Sequence, residues 1–343
     1  MKRLKLYNAH CVKLANSNSL KKLLILFVVG ITGVNLQAQS TIGITGKKDT
    51  GYSTYSAYTG TLKSHPDIKI VPEFKFASVV EKRNITYCSI AKRALKLDVF
   101  APKAKGEKPG IAIIIIHGGG WRTGNRTQHY PLAQKLANLG YTCFTPEYRL
   151  STEALFPAGV YDIKAAIRYV KKNAAMYNID TAKIVALGFS AGGEMAAAMG
   201  TTGNMPLFEG SNCNTEIKSD VNAVVDIDGT LSFVHPEGGE GDDSKSISAG
   251  TYWFGYSKKE NPMLWEAASP LSYVSSKTPP TLFLNSAVSR MHAGREDYIK
   301  VLNQYDIKST VHNFEGAPHS FCLFDPWFEP TVKYIDEFLK NVF

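Results

Sequence analysis

The sequence predicts an α/β fold, a mostly parallel central sheet with helices on both faces. Ile111–Ile116 is an unbroken, isoleucine-rich apolar run, the pattern of a strand buried on both faces. Strand patterns at Tyr141–Pro146, Lys183–Gly188, Val221–Ile227, Thr281–Asn285 and Ser309–Phe314 follow it. Helical patterns at Tyr130–Leu139, Ala158–Tyr177, Ala191–Gly200, Gly294–Tyr305 and Pro330–Val342 fall between them. That alternation is the mark of helical crossovers joining parallel strands.

Upstream, Val79–Cys88 and Arg93–Phe100 read as two strands paired antiparallel at a sheet edge. Residues 39–75, rich in Ser, Thr, Gly and Tyr, show no sustained period and read as a loose lead-in to one domain over 76–343. Residues 230–271 break the rhythm. They are long for a connection and rich in Gly, Ser and aromatics, which predicts an inserted flap over a site.

The N-terminus reads as a targeting segment. Lys2, Arg3, Lys5, Lys13, Lys21 and Lys22 precede the apolar run 23–29, and Leu36-Gln37-Ala38 offers a small-residue cleavage site. The apolar run is short for a bilayer span. The expectation is a signal peptide over 1–38 and a secreted or periplasmic protein without a membrane anchor. Without those six basic residues the formal charge falls from +9 to +3, with 33 Lys and Arg against 30 Asp and Glu. No dense basic patch remains to favour nucleic acid. Cys88, Cys143, Cys213 and Cys322 lie beyond the leader, and their pairing does not follow from spacing. No Cys/His cluster has zinc-like spacing, so no metal site is expected.

Three segments carry chemistry. Gly188-Phe189-Ser190-Ala191-Gly192 follows a strand pattern and precedes an Ala-rich helix. A sharp turn there would lift the Ser190 hydroxyl above the sheet as a nucleophile. His117-Gly118-Gly119-Gly120-Trp121 closes the isoleucine run. The amides of Gly119 and Gly120, with that of Ala191, could hold a developing oxyanion. His319 follows the last strand pattern, on a loop at the same sheet edge, and is the candidate base. His117 reads as structural.

With Pro146-Glu147-Tyr148-Arg149-Leu150-Ser151 and Phe156-Pro157-Ala158, these segments resemble α/β-hydrolase esterases of the feruloyl esterase-like and acetyl-xylan esterase-like group. His235-Pro236-Glu237, the stretch 290–295 and the stretch 325–330 are similar to a secreted bacterial branch associated with pectin and other plant polysaccharides. The resemblance covers about residues 76–343. It implies the α/β-hydrolase fold, serine-esterase chemistry without a cofactor, and an acylated oligo- or polysaccharide as partner.

One departure concerns the acid that orients the base. In the wider fold it usually follows the strand equivalent to Thr281–Asn285, but residues 286–292 here contain no carboxylate. Asp228, at the tip of Val225-Asp226-Ile227-Asp228, is the preferred candidate, followed by Asp297, Glu237 and Glu240, or no acid at all. For substrate, Trp121 and Trp253 could stack on sugar rings, although aromatic loops also form local cores. Arg290, His292 and Arg295 could grip uronate carboxylates, or be solvated surface. The leading reading is an esterase removing acyl groups, acetyl first, from polysaccharide such as pectin or xylan. A general carboxylesterase or peptidase, and a non-catalytic sugar-binding homologue, are the alternatives.

Overall fold

The computed structural model describes residues 38–104 and 106–343. The chain divides into two units, Met1–Gln39 and Ser40–Phe343, and the fold is that of the second. The expected targeting segment lies, but for Ala38, outside the described residues.

The strands in chain order are β1 (Lys69–Ile70), β2 (Val79–Ile90), β3 (Arg93–Pro102), β4 (Gly110–Ile116), β5 (Thr142–Pro146), β6 (Ile179–Phe189), β7 (Ala223–Ile227), β8 (Thr281–Asn285), β9 (Ser309–Asn313) and β10 (Phe324–Asp325). Eight of them form one sheet in the order β2-β3-β5-β4-β6-β7-β8-β9, and β1 pairs with β10. The β2–β3 and β3–β5 pairs are antiparallel, and every pair from β5–β4 onward is parallel. This is the α/β-hydrolase architecture.

The isoleucine run explains its own place. Side chains alternate across a strand, so Ile114 and Ile116 enter one core with Ile163 and Met195, from the helices Ala158–Lys172 and Ala191–Thr201. Ile113 and Ile115 enter the opposite core with Leu132, Leu136, Ile335 and Leu339, from the helices Tyr130–Asn138 and Phe328–Val342. A strand that meets apolar partners on both faces has no solvent side and can hold no alternating polar residue.

The reading of the lead-in needs correction. The lead-in is not structureless, because it contains a helix, Thr54–Thr61, whose N-cap Ser53 and Ser56 form a capping box. Ala57, Ile68 and Val71 anchor this segment in the second core. The helical pattern was invisible because Thr, Ser, Tyr and Gly leave no apolar stripe. The inserted stretch 230–271 has packed structure of its own. It carries the helices Ala249–Phe254 and Pro262–Ala267, and Phe233, Trp253, Phe254 and Trp265 pack into the first core. The Trp265 indole donates to Tyr256 O at 3.0 Å, which satisfies its polar end. Helix 158–177 is also interrupted at Asn173 and ends at Asn178 in the left-handed conformation.

Two fully buried histidines lie near the sheet's C-terminal edge. Burial lowers His117 to about 4 and His129 to about 3, and neither His129 ring nitrogen has a partner among the described residues. Both are therefore neutral in the folded protein at neutral pH.

Two predictions follow from this packing. Trp265→Ala removes a fully buried ring and should cost about 3–5 kcal/mol in denaturant unfolding. A loss below 1 kcal/mol would contradict the packing of that tryptophan. For the histidines, the unfolded chain takes up protons below pH 6.5 that the folded state refuses, so stability falls as pH drops. His129→Leu should make that fall shallower by up to about 1.4 kcal/mol per pH unit. Urea midpoints between pH 6.5 and 4.5 measure it, and an unchanged slope would contradict it.

Candidate active site

Ser190 stands at the junction of β6 and the helix Ala191–Thr201, with φ 57° and ψ −123°. Such a backbone is strained for a residue with a Cβ and survives only where the surroundings fix it. Close packing fixes it here. A Cβ on Gly188 would lie 1.9 Å from Gly192 O, and one on Gly192 would lie 2.1 Å from Ile116 O. Glycine at both positions lets the helix start directly against β6 and β4.

Register places the partners. Phe189 pairs with Ile227 and Ile227 with Leu284. The pairing continues past the strand ends, as Ser190 N–H donates to Ile227 O at 2.8 Å and Asp228 N–H to Leu284 O at 3.1 Å. Asp228 adopts φ 53°, a left-handed conformation that Asp tolerates better than most residues. Its side chain is fully buried. His319 comes from the loop after β9, which is tied to the loop after β8 by Ala287 N–H donating to Ala317 O at 3.0 Å.

The three side chains form one hydrogen-bonded line. His319 Nδ1 lies 2.9 Å from Asp228 Oδ2, and His319 Nε2 lies 2.9 Å from Ser190 Oγ. A carboxylate can only accept, so Nδ1 carries the proton and donates it to Asp228. Nε2 is then bare and accepts from the Ser190 hydroxyl, which is the arrangement a base needs before it takes that proton. The remaining Asp228 oxygen, Oδ1, accepts from Ser286 N at 2.8 Å and Asn285 Nδ2 at 3.5 Å. Ser286 thus supplies a donor from the loop where an acid was sought.

The other acids lie elsewhere. Asp297 and Glu237 each stand 3.4 Å from His235, on opposite ring nitrogens. Glu240 accepts from Gly250 N at 2.6 Å.

The glycine loop runs directly against the elbow. A Cβ on Gly118 would stand 3.1 Å from Ser190 Cβ. Gly119 has φ 125°, and a Cβ there would meet Thr123 O at 2.1 Å, so only glycine fits. Gln128 Oε1 accepts from Gly118 N at 2.8 Å, and Tyr148 OH donates to His117 O at 3.1 Å. His117 donates through Nδ1 to Gly118 O at 2.9 Å and stacks on Tyr148, so it holds the loop and takes no part in the hydrogen-bonded line. Unforeseen from the sequence, the segment after Ala38 clamps this loop as well. Asp49 accepts from Thr123 Oγ1 at 2.9 Å, and Gly124 N–H donates to Asp49 O at 3.0 Å.

A cavity of about 50 Å³ adjoins Ser190, lined by Gly120, Trp121, Ala191, Thr230, Glu240, Arg290 and Met291. Of the five side chains expected to bind substrate, Trp121 and Arg290 border it, while Trp253, His292 and Arg295 do not. Trp253 is only 1% exposed and stacks on Trp121, so it offers no face to a sugar. Trp121 is itself buried, with its indole N–H donating to Glu194 Oε2 at 2.9 Å. Arg295 Nη1 donates to Asn285 Oδ1 at 2.7 Å and its other nitrogens reach Glu296 Oε1, so it braces the residues behind Asp228. His292 is half-buried, and burial lowers its pKa. Of these three residues Arg290 alone is exposed at the cavity, with no ion pair or hydrogen bond among the described residues. Thr230 and Met291 were not singled out by sequence, since no motif marks a cavity wall.

Comparison with known proteins agrees with this geometry. The BD-FAE family model matches residues 97–290, more than half of the chain. Esterase LipC of Mycobacterium tuberculosis is 28% identical over 266 residues, covering 72% of this chain and 62% of that protein. Esterase LipQ of the same organism is 31% identical over 220 residues, covering 62% and 50%. The chain thus spans half to three fifths of the length of these curated relatives. Among solved structures, a truncated carbohydrate esterase from gut microbiota superposes with a TM-score of 0.65 at 26% identity, covering 79% of this chain and 100% of that one. A thermophilic esterase of Thermogutta terrifontis, described with propionate bound, gives 0.62 at 25% identity, covering 78% and 95%. With the family model spanning the glycine loop and the strand ends that carry Ser190 and Asp228, the chain belongs to the BD-FAE family and has the α/β-hydrolase fold.

Proposed function

We propose that this protein is a serine esterase that removes acetyl groups from plant cell-wall polysaccharide, with acidic, pectin-like chains as its preferred target. The observation that carries the reading is the Ser190–His319–Asp228 line beside a small cavity. In the first half-reaction Ser190 Oγ attacks the ester carbonyl carbon while its proton passes to His319 Nε2. The carbonyl electron pair moves onto oxygen, which the amides of Gly119, Gly120 and Ala191 hold. Collapse expels the sugar oxygen, which takes the proton from His319. Water then repeats the sequence on the acetyl-enzyme, releases acetate and restores Ser190. Asp228 keeps the imidazole in the accepting tautomer and stabilises the imidazolium. No step calls for a cofactor.

Two features support the substrate. The cavity beside Ser190 is small, about 50 Å³, which favours a short acyl group such as acetyl. Arg290 at its rim is an unpaired guanidinium, and such forks favour carboxylates. The names of the relatives, esterases and a carbohydrate esterase, point the same way. We also propose an exported protein. The Cys88–Cys213 disulfide supports an oxidising compartment, as does the basic and apolar leader of the sequence.

Asp228→Asn should lower kcat on p-nitrophenyl acetate about 10²–10⁴-fold with KM little changed, and Asp297→Asn should have a minor effect. The reverse ranking would remove Asp228 from the line. For substrate, acyl release is measured on acetylated pectin, acetylated xylan and feruloylated oligosaccharides, with p-nitrophenyl acetate as the small-ester control. Wild type should favour acetylated pectin. Arg290→Met should raise KM on pectin about tenfold and leave the aryl ester unchanged. Equal rates on pectin and neutral xylan, unaffected by Arg290→Met, would sink the acidic-polymer assignment. Faster turnover of butyrate than acetate esters would sink the acetyl one.

A further inference from the structure

Gly119, Gly120 and Trp121 are three successive residues with left-handed backbone, at φ 125°, 59° and 56°. Glycine adopts this freely, but a tryptophan there is strained and persists only where its surroundings hold it. Its ring lies flat on Trp253, 4.7 Å between centroids and 7° between planes, and meets Phe233 edge-on. Stacking sets the plane of a ring but leaves it free to slide. The hydrogen bond from the indole Nε1 to Glu194 Oε2, at 2.9 Å, removes that freedom. Glu194 sits in the first turn of the helix that Ser190 begins, and its amide donates to Ser190 O at 3.0 Å. The loop and the elbow are thereby joined through one buried side chain.

A carboxyl is a costly choice for this position. Glu194 is 1% exposed, and its other oxygen has no hydrogen-bond partner among the described residues. The acid acting on it, Asp226, is equally buried, and burial pushes both well above the usual carboxylate range. Trp121 Nε1, donating to Glu194 Oε2, is among the described residues the one side-chain hydrogen bond that favours the charged form against that burial. A methionine would fill the space without that desolvation cost, but would strand the indole N–H in the core. Neither Glu194 oxygen has a part in the proton transfers proposed above.

We propose that Glu194 is a positioning residue that, through the Trp121 indole, locks the Gly119 and Gly120 amides in register with the Ser190 hydroxyl. The proposal rests on the esterase reading. Its test is steady-state hydrolysis of p-nitrophenyl acetate by wild type, Glu194→Gln, Glu194→Met, Trp121→Phe and the Glu194→Met/Trp121→Phe double variant, with thermal unfolding of each. Wild-type turnover in the same assay decides the esterase reading separately. Glu194→Met and Trp121→Phe should each lower kcat about 10- to 100-fold with KM within about twofold. The double variant should be no worse than the poorer single one, because both remove the same hydrogen bond. Glu194→Gln keeps a carbonyl acceptor and should restore kcat to within about threefold of wild type. Additive losses in the double variant, or Gln as damaging as Met in a folded protein, would overturn the proposal. If Glu194→Met fails to fold, Trp121→Phe decides alone, since wild-type kcat in that variant contradicts the lock.

Discussion

The parallel register of β6, β7 and β8 is the constraint on which the site depends. Phe189, Ile227 and Leu284 stand side by side at the sheet edge. The next residue on β6 is Ser190 and the next on β7 is Asp228, both held by backbone hydrogen bonds that continue the ladder. A slip of one residue would turn each side chain to the opposite face. It would also bury the hydroxyl and carboxyl in the two cores that the isoleucines of β4 keep apart. Precision at the site is therefore a consequence of hydrophobic packing below it. His319, supplied by a loop, is the one member not fixed by register, and the bond between Ala287 and Ala317 compensates for that.

Three buried acids share this edge, and the number of donors they meet separates them. Asp228 accepts from His319, Ser286 and Asn285. Asp226 accepts from the Gly229 amide and Glu194 from Trp121, and both have an oxygen left without a partner among the described residues. Burial alone would make the three equivalent. The tip of β7, next to the Ser286 amide, can place a carboxylate within reach of an imidazole, whereas positions two residues back or inside the helix cannot.

The eight strands of the main sheet were legible in the sequence because each is a short alternating or apolar run of strand length, and most are set apart by helical patterns. Ser190 was legible because its glycines report close approach, and a Cβ on Gly188 or Gly192 would indeed fall only 1.9 or 2.1 Å from a backbone oxygen. Other features were not. The helix Thr54–Thr61 is capped by serines and lacks an apolar stripe, so its signal lies in side-chain hydrogen bonds that no period reveals. The aromatics of 230–271 read equally as sugar platforms or as core, and only their mutual packing decides for core. Arg290 and Arg295 looked alike in sequence. Asn285, Asn313 and Glu296 occupy Arg295, and those partners are contributed by two strand ends and a helix turn.

The central claim is that chemistry passes through the hydroxyl at the strained turn after β6. Turnover of p-nitrophenyl acetate by Ser190→Ala, with unfolding measured beside it, tests this most directly. The account predicts that kcat falls by roughly 10³-fold or more while the unfolding midpoint stays at or above that of wild type. A folded Ser190→Ala protein that still turns over near the wild-type rate would contradict it.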